Sequence, residues 1–263
     1  MTAFIRKPNP SDDKYSRGVL GFVTSSEQFP GAALLGITAA MRTGVGMVRY
    51  LGPTQVSDLV LQVRPEIVLQ DGRAQAWVVG SGVPIDDEVQ VARIQKIVAE
   101  KNLLVVDAGA LAIVDFAHCP ATCVLTPHAG EAAILLASLG EPLTRAEIEA
   151  DPIAAALLIT KLTGQLTVLK GNRTVVAQGD RSYQFDPAPA VLATAGSGDV
   201  LAGIIGAMLA GNAQDILSGE SDLFDVVKAA ITLQAKAAEL AAEDSTVVAL
   251  DIAEAVGRVV AAE

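Results

Sequence analysis

The stretch Leu192–Gly211 reads LATAGSGDVLAGIIGAMLAG and carries the strongest local pattern in the chain. It begins with small residues, places one carboxylate at Asp199, and continues into apolar residues spaced as on a helix. A glycine-rich turn that leads directly into a helix exposes backbone N–H groups at the positive end of the helix dipole. Phosphate oxygens bind well there without a basic side chain. We therefore predict that the turn formed by Ala195, Gly196, Ser197 and Gly198 binds a phosphate group.

Asp199 follows this turn directly, where its carboxylate would face a bound phosphate. Two negative groups side by side repel each other, so this aspartate points to a base that takes a hydroxyl proton, or to a metal partner. The competing interpretation is structural: a tight turn of small residues, an aspartate in the first helical turn, and then a buried helix. The Gly-x-Gly-Asp pattern alone does not separate the two interpretations.

The composition is typical of an α/β protein. The chain has 263 residues, is 51% hydrophobic and has few aromatic residues. Small and aliphatic residues dominate, as in a parallel sheet covered by helices. We expect a single α/β domain over residues 1–263, with about eight or more strands and with helices on both faces of the sheet.

Charge and cysteine content exclude several classes of protein. The net charge of −11 argues against nucleic acid as a partner, although backbone amides can still bind an anion locally. Cys119 and Cys123 have neither a redox nor a zinc spacing, and we interpret them as small residues near a strand of a cytoplasmic protein. No apolar segment follows Arg6 and Lys7, so we expect no signal peptide. Asp199 interrupts the longest apolar run, which argues against a membrane partner.

Alternation of apolar runs with turn residues predicts strands and helices in turn. The predicted strands are Gly18–Thr24, Gly46–Leu51, Glu66–Gln70, Ala76–Val79, Leu103–Val106, Ala121–Leu125, Leu166–Leu169, Val175–Gln178 and Ser182–Phe185. Predicted helices are Gly31–Thr43, Thr54–Val63, Asp86–Lys101, one after Glu131 as far as Leu139, two within Pro142–Gly164, the helix after Gly198, Asp222–Ala242 and Val248–Ala262.

Turns of the kind that bind ligands follow several of these strands or lead into a helix. They are Gly80–Gly82, Asp107–Gly109, His128–Glu131, Lys170–Thr174 and Ala195–Asp199. Because ligands of open parallel sheets bind at the carboxyl ends of the strands, we expect these turns to meet at one edge. This convergence is stronger evidence for a ligand site than any single motif.

Three residues at this edge each have two interpretations. His128 alone would be a histidine stacked in a turn, but its place beside Pro127 and Glu131 after a strand favours contact with a ligand. Glu131 is either a first-turn acid near the helix dipole or an outer-shell partner of Mg²⁺, which keeps several waters. Lys170 is either a solvated lysine or a phosphate contact. The other histidine, His118, reads as a surface residue.

Three segments resemble the signature segments of one enzyme family. They are LTPHAGE (Leu125–Glu131), VLKGNRT (Val168–Thr174) and AGSGDVLAG (Ala195–Gly203), and they are similar to those of the ADP-dependent NAD(P)H-hydrate dehydratases of the ribokinase-like superfamily. Lys14–Gly36 and Gly44–Pro53 resemble the N-terminal segments of the family, so the similarity spans nearly the whole chain. One departure is the run PAPAVLAT at residues 187–194, where the family commonly has Asn-Pro-Gly-Met-Ala-Thr.

The resemblance implies a ribokinase-like three-layer α/β/α fold with a mostly parallel central sheet. It implies a dehydratase domain alone, without the N-terminal epimerase domain that is often fused to it, and a homo-oligomer, specifically a homotetramer. The implied activity is repair of hydrated nicotinamide cofactors: the S epimer of hydrated NADH or NADPH is dehydrated with ADP, which becomes AMP, and with Mg²⁺.

Carried over by position, the resemblance also implies the roles of individual residues. Ala32, Gly82 and His128 would contact the hydrated cofactor, while Gly198 and Lys170, Gly171, Asn172, Arg173 and Thr174 would hold the adenine nucleotide. Asp199 would lie between the two ligands and accept the hydroxyl proton during phosphoryl transfer. The amides of Ala195, Gly196, Ser197 and Gly198, together with Mg²⁺, would stabilise charge on the transferring phosphoryl group.

Two other functions compete with this one. A small-molecule kinase of the same superfamily, acting for instance on a hydroxymethyl group of a vitamin precursor, would use the same aspartate and anion site. Such kinases usually carry asparagine at the position of His128. A non-catalytic nucleotide-binding protein is the third possibility, but a protein that only binds has no need of the Asp199 carboxylate beside a phosphate.

Overall fold

A sheet of eight strands forms the middle layer of the computed structural model, which describes residues 1–100, 102–119, 122–243 and 246–263. The strand order is β2-β1-β3-β4-β5-β6-β7-β8. Pairing is parallel from β2 through β6 and antiparallel from β6 to β8. The strands are β1 Val19–Val23, β2 Met47–Tyr50, β3 Ala76–Val79, β4 Leu103–Val106, β5 Thr122–Leu125, β6 Leu166–Leu169, β7 Val175–Gln178 and β8 Arg181–Gln184.

Helices cover both faces of this sheet, which confirms the predicted three-layer α/β/α arrangement. One apolar core lies between the sheet and α1, α2, α8, α10 and α11, and the other lies between the sheet and α3 to α7. The helices are α1 Gly31–Thr43, α2 Thr54–Val63, α3 Glu88–Ala99, α4 Ala110–Ile113, α5 Ala129–Ser138, α6 Arg145–Ala150, α7 Pro152–Thr163, α8 Ser197–Gly211, α9 Ala213–Ser218, α10 Leu223–Ala241 and α11 Ala249–Ala262.

Helix α8 lies at the centre of the first core and is buried on all sides from Val200 to Ala210. It packs tightly on α1, because a Cβ at Gly203 would lie only 2.1 Å from the carbonyl oxygen of Gly36. The two backbones therefore touch, and only glycine fits at position 203. This contact fixes the start of α8, and with it Asp199, against α1.

The prediction of a strand at Glu66–Gln70 is wrong. In this segment only Val68 pairs, through an isolated parallel bridge to Arg49, where its carbonyl accepts a hydrogen bond from the Tyr50 N–H (3.0 Å). The guanidinium of Arg49 then donates to the carbonyl of Gln70 (2.7 Å), which takes that carbonyl out of any strand ladder. A run with strand-like residues thus becomes an irregular segment along the sheet edge.

The remaining differences concern short elements and boundaries. The sequence does not predict α4 and α9, which are only 4 and 6 residues long. Strand β8 begins and ends one residue earlier than predicted. The predicted strand start at Ala121 and helix end at Lys101 lie outside the described residues.

Two expectations about cellular context concern the membrane and the cysteines. Within the described ranges, no helix combines the length and the apolar character needed to cross a membrane. The sulfur atoms of Cys119 and Cys123 lie 3.5 Å apart, with Cys123 inside β5 and Cys119 shortly before it. The hydrogen bond to Cys119, together with burial, raises the pKa of the Cys123 thiol. Cys123 is therefore held in the thiol form.

Candidate active site

Five neighbouring parallel strands end at one edge of the sheet, and polar or small residues follow each of them. Thr24 follows β1, Gly80 follows β3, Asp107 follows β4, Thr126 follows β5 and Lys170 follows β6. A parallel bridge between His128 and Lys170 brings the last two connections together. The predicted meeting of these turns at one edge is confirmed.

Asp107 and Lys170 form an ion pair at this edge. Asp107 Oδ1 accepts hydrogen bonds from Lys170 Nζ (2.9 Å) and Thr126 Oγ1 (2.7 Å), and Oδ2 accepts one from Ser81 Oγ (2.7 Å). Burial alone would raise the pKa of Asp107, but Lys170 and the two hydroxyl groups hold it below its usual value. Burial alone would lower the pKa of Lys170, but the charges of Asp107 and Glu131 raise it. Both groups are therefore charged at neutral pH.

His128 and Glu131 cap the start of α5 reciprocally. His128 Nδ1 accepts hydrogen bonds from the backbone N–H groups of Gly130 (3.0 Å) and Glu131 (3.1 Å), and Glu131 Oε2 accepts one from the His128 N–H (2.8 Å). This arrangement satisfies three N–H groups at the helix start. It leaves the rest of the imidazole, whose side chain is 58% exposed, facing the open edge. His128 therefore has a structural role as the N-cap of α5, in place of the predicted stacking in a turn, and it lies at the same edge as the candidate site.

The glycine turn before α8 is held from three sides. Gly196 has φ 89°, and a Cβ there would lie 2.4 Å from Leu35 Cδ1, so both the backbone and the space require glycine. Gln234 Nε2 donates to the carbonyl of Ser197 (2.7 Å) from α10. A Cβ at Gly198 would lie 3.3 Å from Lys170 Nζ, so the ammonium group sits beside the first turn of α8. The turn therefore presents backbone N–H groups and a cation at one place.

Asp199 lies in the first turn of α8, between this turn and α1. In the described part of the chain, no donor reaches its carboxylate within hydrogen-bond distance. Burial, together with the negative charges of Asp107 and Glu131, raises the pKa of Asp199 to about 7, against the attraction of Lys170. A carboxyl group with a pKa near neutrality and no fixed partner is suited to take up a proton.

Two of the predicted cofactor contacts meet at the start of α1. A Cβ at Gly82 would lie 3.0 Å from the Cβ atoms of both Ala32 and Phe29. Ser25, which follows β1, has φ 70°, and its Oγ accepts a hydrogen bond from the Ala33 N–H (2.7 Å). This strained residue ties the start of α1 to the edge of the sheet, and thereby places Ala32 beside Gly82.

A cavity of ≈ 490 Å³ lies between the turn after β6 and the start of α8. Most of the predicted nucleotide contacts line it: Lys170, Gly171, Asn172, Thr174, Gly196, Ser197 and Gly198. His128 lines it as well, whereas Arg173 faces a neighbouring cavity of ≈ 770 Å³ between α5, α6 and the β6–β7 connection, and Ala195 is exposed outside both. The structure thus gathers most of the predicted set and leaves these two residues at its margin.

Several residues at the site are not singled out by sequence reasoning. Asp107 is predicted only as part of a turn, although an aspartate that directly follows a buried strand of four apolar residues is a usable signal. Its hydroxyl partners Ser81 and Thr126, and Gln234 of α10, carry no such signal. Residues of the segment that departs from the family pattern line the smaller cavity, among them Ala188, Pro189, Ala190, Leu192 and Ala193.

Comparison with known proteins relates this geometry to one family. The model of the NAD(P)H-hydrate dehydratase family matches residues 20–258. The bifunctional NAD(P)H-hydrate repair enzyme Nnr of Corynebacterium glutamicum is 35% identical over 266 residues, covering 92% of this chain and 46% of that protein. The ADP-dependent (S)-NAD(P)H-hydrate dehydratase of Neisseria meningitidis is 38% identical over 212 residues, covering 73% of this chain and 69% of that protein. The chain spans about half the length of the bifunctional relatives it matches.

Solved structures show the same fold. The ADP/ATP-dependent NAD(P)H-hydrate dehydratase of Bacillus subtilis, co-crystallised with ATP and Mg²⁺, superposes with a TM-score of 0.84 at 26% identity. The match covers 98% of this chain and 94% of that one. The ribokinase-like fold implied by the sequence resemblance is confirmed.

Proposed function

The chain belongs to the NAD(P)H-hydrate dehydratase family, and we propose that it dehydrates the S epimer of hydrated NADH or NADPH with ADP as co-substrate. The observation that carries the proposal is the position of Asp199. Its carboxyl group, with a pKa raised to about 7, lies between the start of α8, beside Lys170, and helix α1, whose first turn carries Ala32. The base therefore stands between the two places where the nucleotide and the cofactor bind.

The chemistry follows from the poor leaving ability of hydroxide. Asp199 accepts the proton of the substrate hydroxyl while that oxygen forms a bond to the β-phosphorus of ADP, and the bond to the AMP oxygen breaks. The ring C–O bond then breaks, phosphate leaves with the bonding electrons, and the neighbouring ring carbon releases a proton to water, so that the new C=C bond restores the dihydronicotinamide. The N–H groups at the start of α8 and the Lys170 ammonium stabilise the charge on the transferring group.

In this proposal the nucleotide occupies the cavity of ≈ 490 Å³. That volume lies within the size range of small-molecule sites. The backbone N–H of Gly198 at the start of α8 faces its phosphates, the Ser197 N–H already donates to the Thr194 carbonyl (3.4 Å), and the Lys170–Thr174 segment flanks the nucleotide. Ala32, Gly82, His128 and Asp199 face the hydrated cofactor. Arg173 and Ala195 contribute through their backbones only, because their side chains lie outside this cavity.

Magnesium fits this site as an ion held mainly by phosphates and water. Among the residues that the structure describes, no three His, Cys, Asp or Glu side chains are placed to enclose a metal. Glu131 is already bonded to the His128 N–H and lies 3.9 Å from Lys170 Nζ, so it would meet the ion through water. When bound, the ion would neutralise charge on the nucleotide.

The deciding assay follows the return of dihydronicotinamide absorbance from the purified S hydrates of NADH and NADPH. We expect turnover with ADP, and none when the nucleotide is omitted or when the R epimer replaces the S epimer. A comparison of ADP with ATP establishes the phosphoryl donor. Failure to turn over either hydrate with either nucleotide would overturn the proposed function. Light scattering on the same preparation tests the proposed homotetramer.

His128→Ala is expected to raise KM for the hydrate by roughly tenfold, the cost of one hydrogen bond to the substrate. ADP affinity should change much less, because in this proposal the phosphates are held at the start of α8 and not by the imidazole, although His128 also lines the nucleotide cavity. Since His128 also caps α5, His128→Asn serves as the matched variant: asparagine is a good N-cap and lacks only the ring. Equal shifts in hydrate KM and ADP affinity in both variants would place His128 elsewhere.

The raised pKa of Asp199 predicts a pH dependence. A base must be ionised to accept a proton, so kcat/KM for the hydrate should fall tenfold per pH unit as the pH drops below about 7. A profile recorded between pH 5.5 and 9 checks this. An acid limb near the ordinary aspartate pKa would contradict the assignment of Asp199 as the base in the free enzyme.

A further inference from the structure

Asp107 is the most deeply buried charged side chain at the site, yet it lines neither cavity. It is 3% exposed and accepts three hydrogen bonds, from Ser81, Thr126 and Lys170. The role proposed for the enzyme does not use it, because its carboxylate faces the protein rather than a ligand. A buried charge is costly unless it is paired, so its presence needs a reason.

Hydrogen bonds to both oxygens hold the Asp107 carboxylate in one orientation. Ser81 is the second residue after β3 and donates to Oδ2, while Thr126 directly follows β5 and donates to Oδ1, so the two hydroxyl groups hold the carboxylate from both sides. Lysine has a flexible stem of four carbons and an ammonium group that can turn freely. The fixed carboxylate therefore determines where the ammonium of Lys170 sits.

That place is the start of α8. Lys170 Nζ lies 2.9 Å from Asp107 Oδ1, and a Cβ on Gly198 would come within 3.3 Å of it. Its side chain is 19% exposed, so it still reaches the cavity wall. Glu131 Oε2, at 3.9 Å, and Asp199 also attract the ammonium. Three carboxylates thus compete for one cation, and Asp107 holds the shortest contact that the structure records.

We propose that Asp107 is a positioning residue, whose carboxylate holds the Lys170 ammonium beside Gly198 for the transferring phosphoryl group and keeps it from pairing with Asp199. The inference rests on the proposed function. Without the Asp107 carboxylate, the Lys170 ammonium forms an ion pair with Asp199. That ion pair engages the carboxylate that acts as the base and moves the cation away from the phosphoryl group. Asp107 thereby acts on the rate of the reaction and not on the binding of ADP.

A double-mutant cycle on kcat tests this coupling, using Asp107→Asn, Lys170→Met and the double variant. We expect Asp107→Asn to lower kcat by about 10–100-fold, with ADP affinity within roughly threefold of the parent. In the Lys170→Met background, Asp107→Asn should lower kcat by less than about threefold more, because the residue it acts through is gone. Lys96→Met, which breaks the exposed pair with Asp71, is the matched control and should leave kcat unchanged.

A second variant distinguishes a loss of lysine positioning from a loss of folding. It is needed because removing one partner of a buried ion pair leaves the other charge unpaired. Ser81→Ala combined with Thr126→Val keeps both charges and removes only the two hydroxyl groups that orient the carboxylate. We expect a fall in kcat with unchanged ADP affinity, and melting temperatures measured on every variant exclude partial unfolding. Multiplicative effects in the cycle, or unchanged kcat in the hydroxyl variant, would overturn the positioning role. A parent enzyme without turnover would instead overturn the proposed function.

Discussion

Asp199→Asn is expected to fold, to bind ADP at least as tightly as the parent, and to lose turnover by about 10²–10⁴-fold. In the proposed function, backbone N–H groups at the start of α8 supply the phosphate contacts, so ADP binding should not depend on this carboxylate. Removing a negative charge beside the phosphates relieves repulsion. Asparagine keeps the size of the side chain but cannot accept the hydroxyl proton, so the loss falls on the chemical step.

The competing explanation is that Asp199 only stabilises the first turn of α8. In that case asparagine would leave kcat near the parent value, because both residues are compatible with a helix start. Asp225 is the matched control: it is the third residue of α10, as Asp199 is the third residue of α8, and it lies outside the site. Asp225→Asn should change neither kcat nor ADP affinity, measured by calorimetry on the same preparation.

The stability of the same variant gives an independent reading. The pKa of Asp199 is raised from the usual value to about 7 in the folded protein, so the stability that its protonated form contributes is lost as the pH rises through 7. Asparagine carries no such penalty. The Asp199→Asn variant should therefore melt at a higher temperature than the parent at pH 8, with the difference shrinking toward pH 4. A lower melting temperature at pH 8 would favour the capping role.

Much of the fold can be predicted from the sequence, because the local residue pattern of most elements agrees with the secondary structure that they adopt. Helices α1 and α2 and strands β3, β4, β6 and β7 have the predicted bounds, since polar residues, glycine or proline flank each of them. The meeting of the turns at one edge also follows, because parallel pairing forces it. Glu66–Gln70 differs: its residues suit a strand, but its position outside β2 leaves it only one bridge.

The parts of the site that the sequence does not reveal depend on contacts between distant segments. The hydrogen bonds that bring Ser81, Thr126 and Lys170 onto Asp107 link four different strand ends, and no local pattern encodes them. The pKa of Asp199 likewise depends on burial and on charges that come from other segments. A residue type at a motif position predicts which chemistry is available, whereas tertiary packing determines the charge state that makes it usable.

Gly198→Val is expected to weaken ADP binding by roughly 10–100-fold, equivalent to about 1.4–2.8 kcal/mol. Gly198 has ordinary helical geometry, so the substitution causes no left-handed strain. Its Cβ would lie 3.3 Å from Lys170 Nζ, the far end of a flexible side chain. The two added methyl groups would then cover the N–H groups of the first turn, where phosphate oxygens have to approach.

Gly198→Ala adds the Cβ without the branches and gives the graded comparison. Alanine favours helix over glycine by about 1 kcal/mol, so this variant should melt no lower than the parent while losing less ADP affinity than valine does. The order glycine, alanine, valine in ADP affinity, without a matching order in melting temperature, identifies steric exclusion from the turn. If calorimetry shows unchanged ADP affinity in Gly198→Val, the phosphates do not bind at the start of α8, and the nucleotide must be held by the Lys170–Thr174 segment alone.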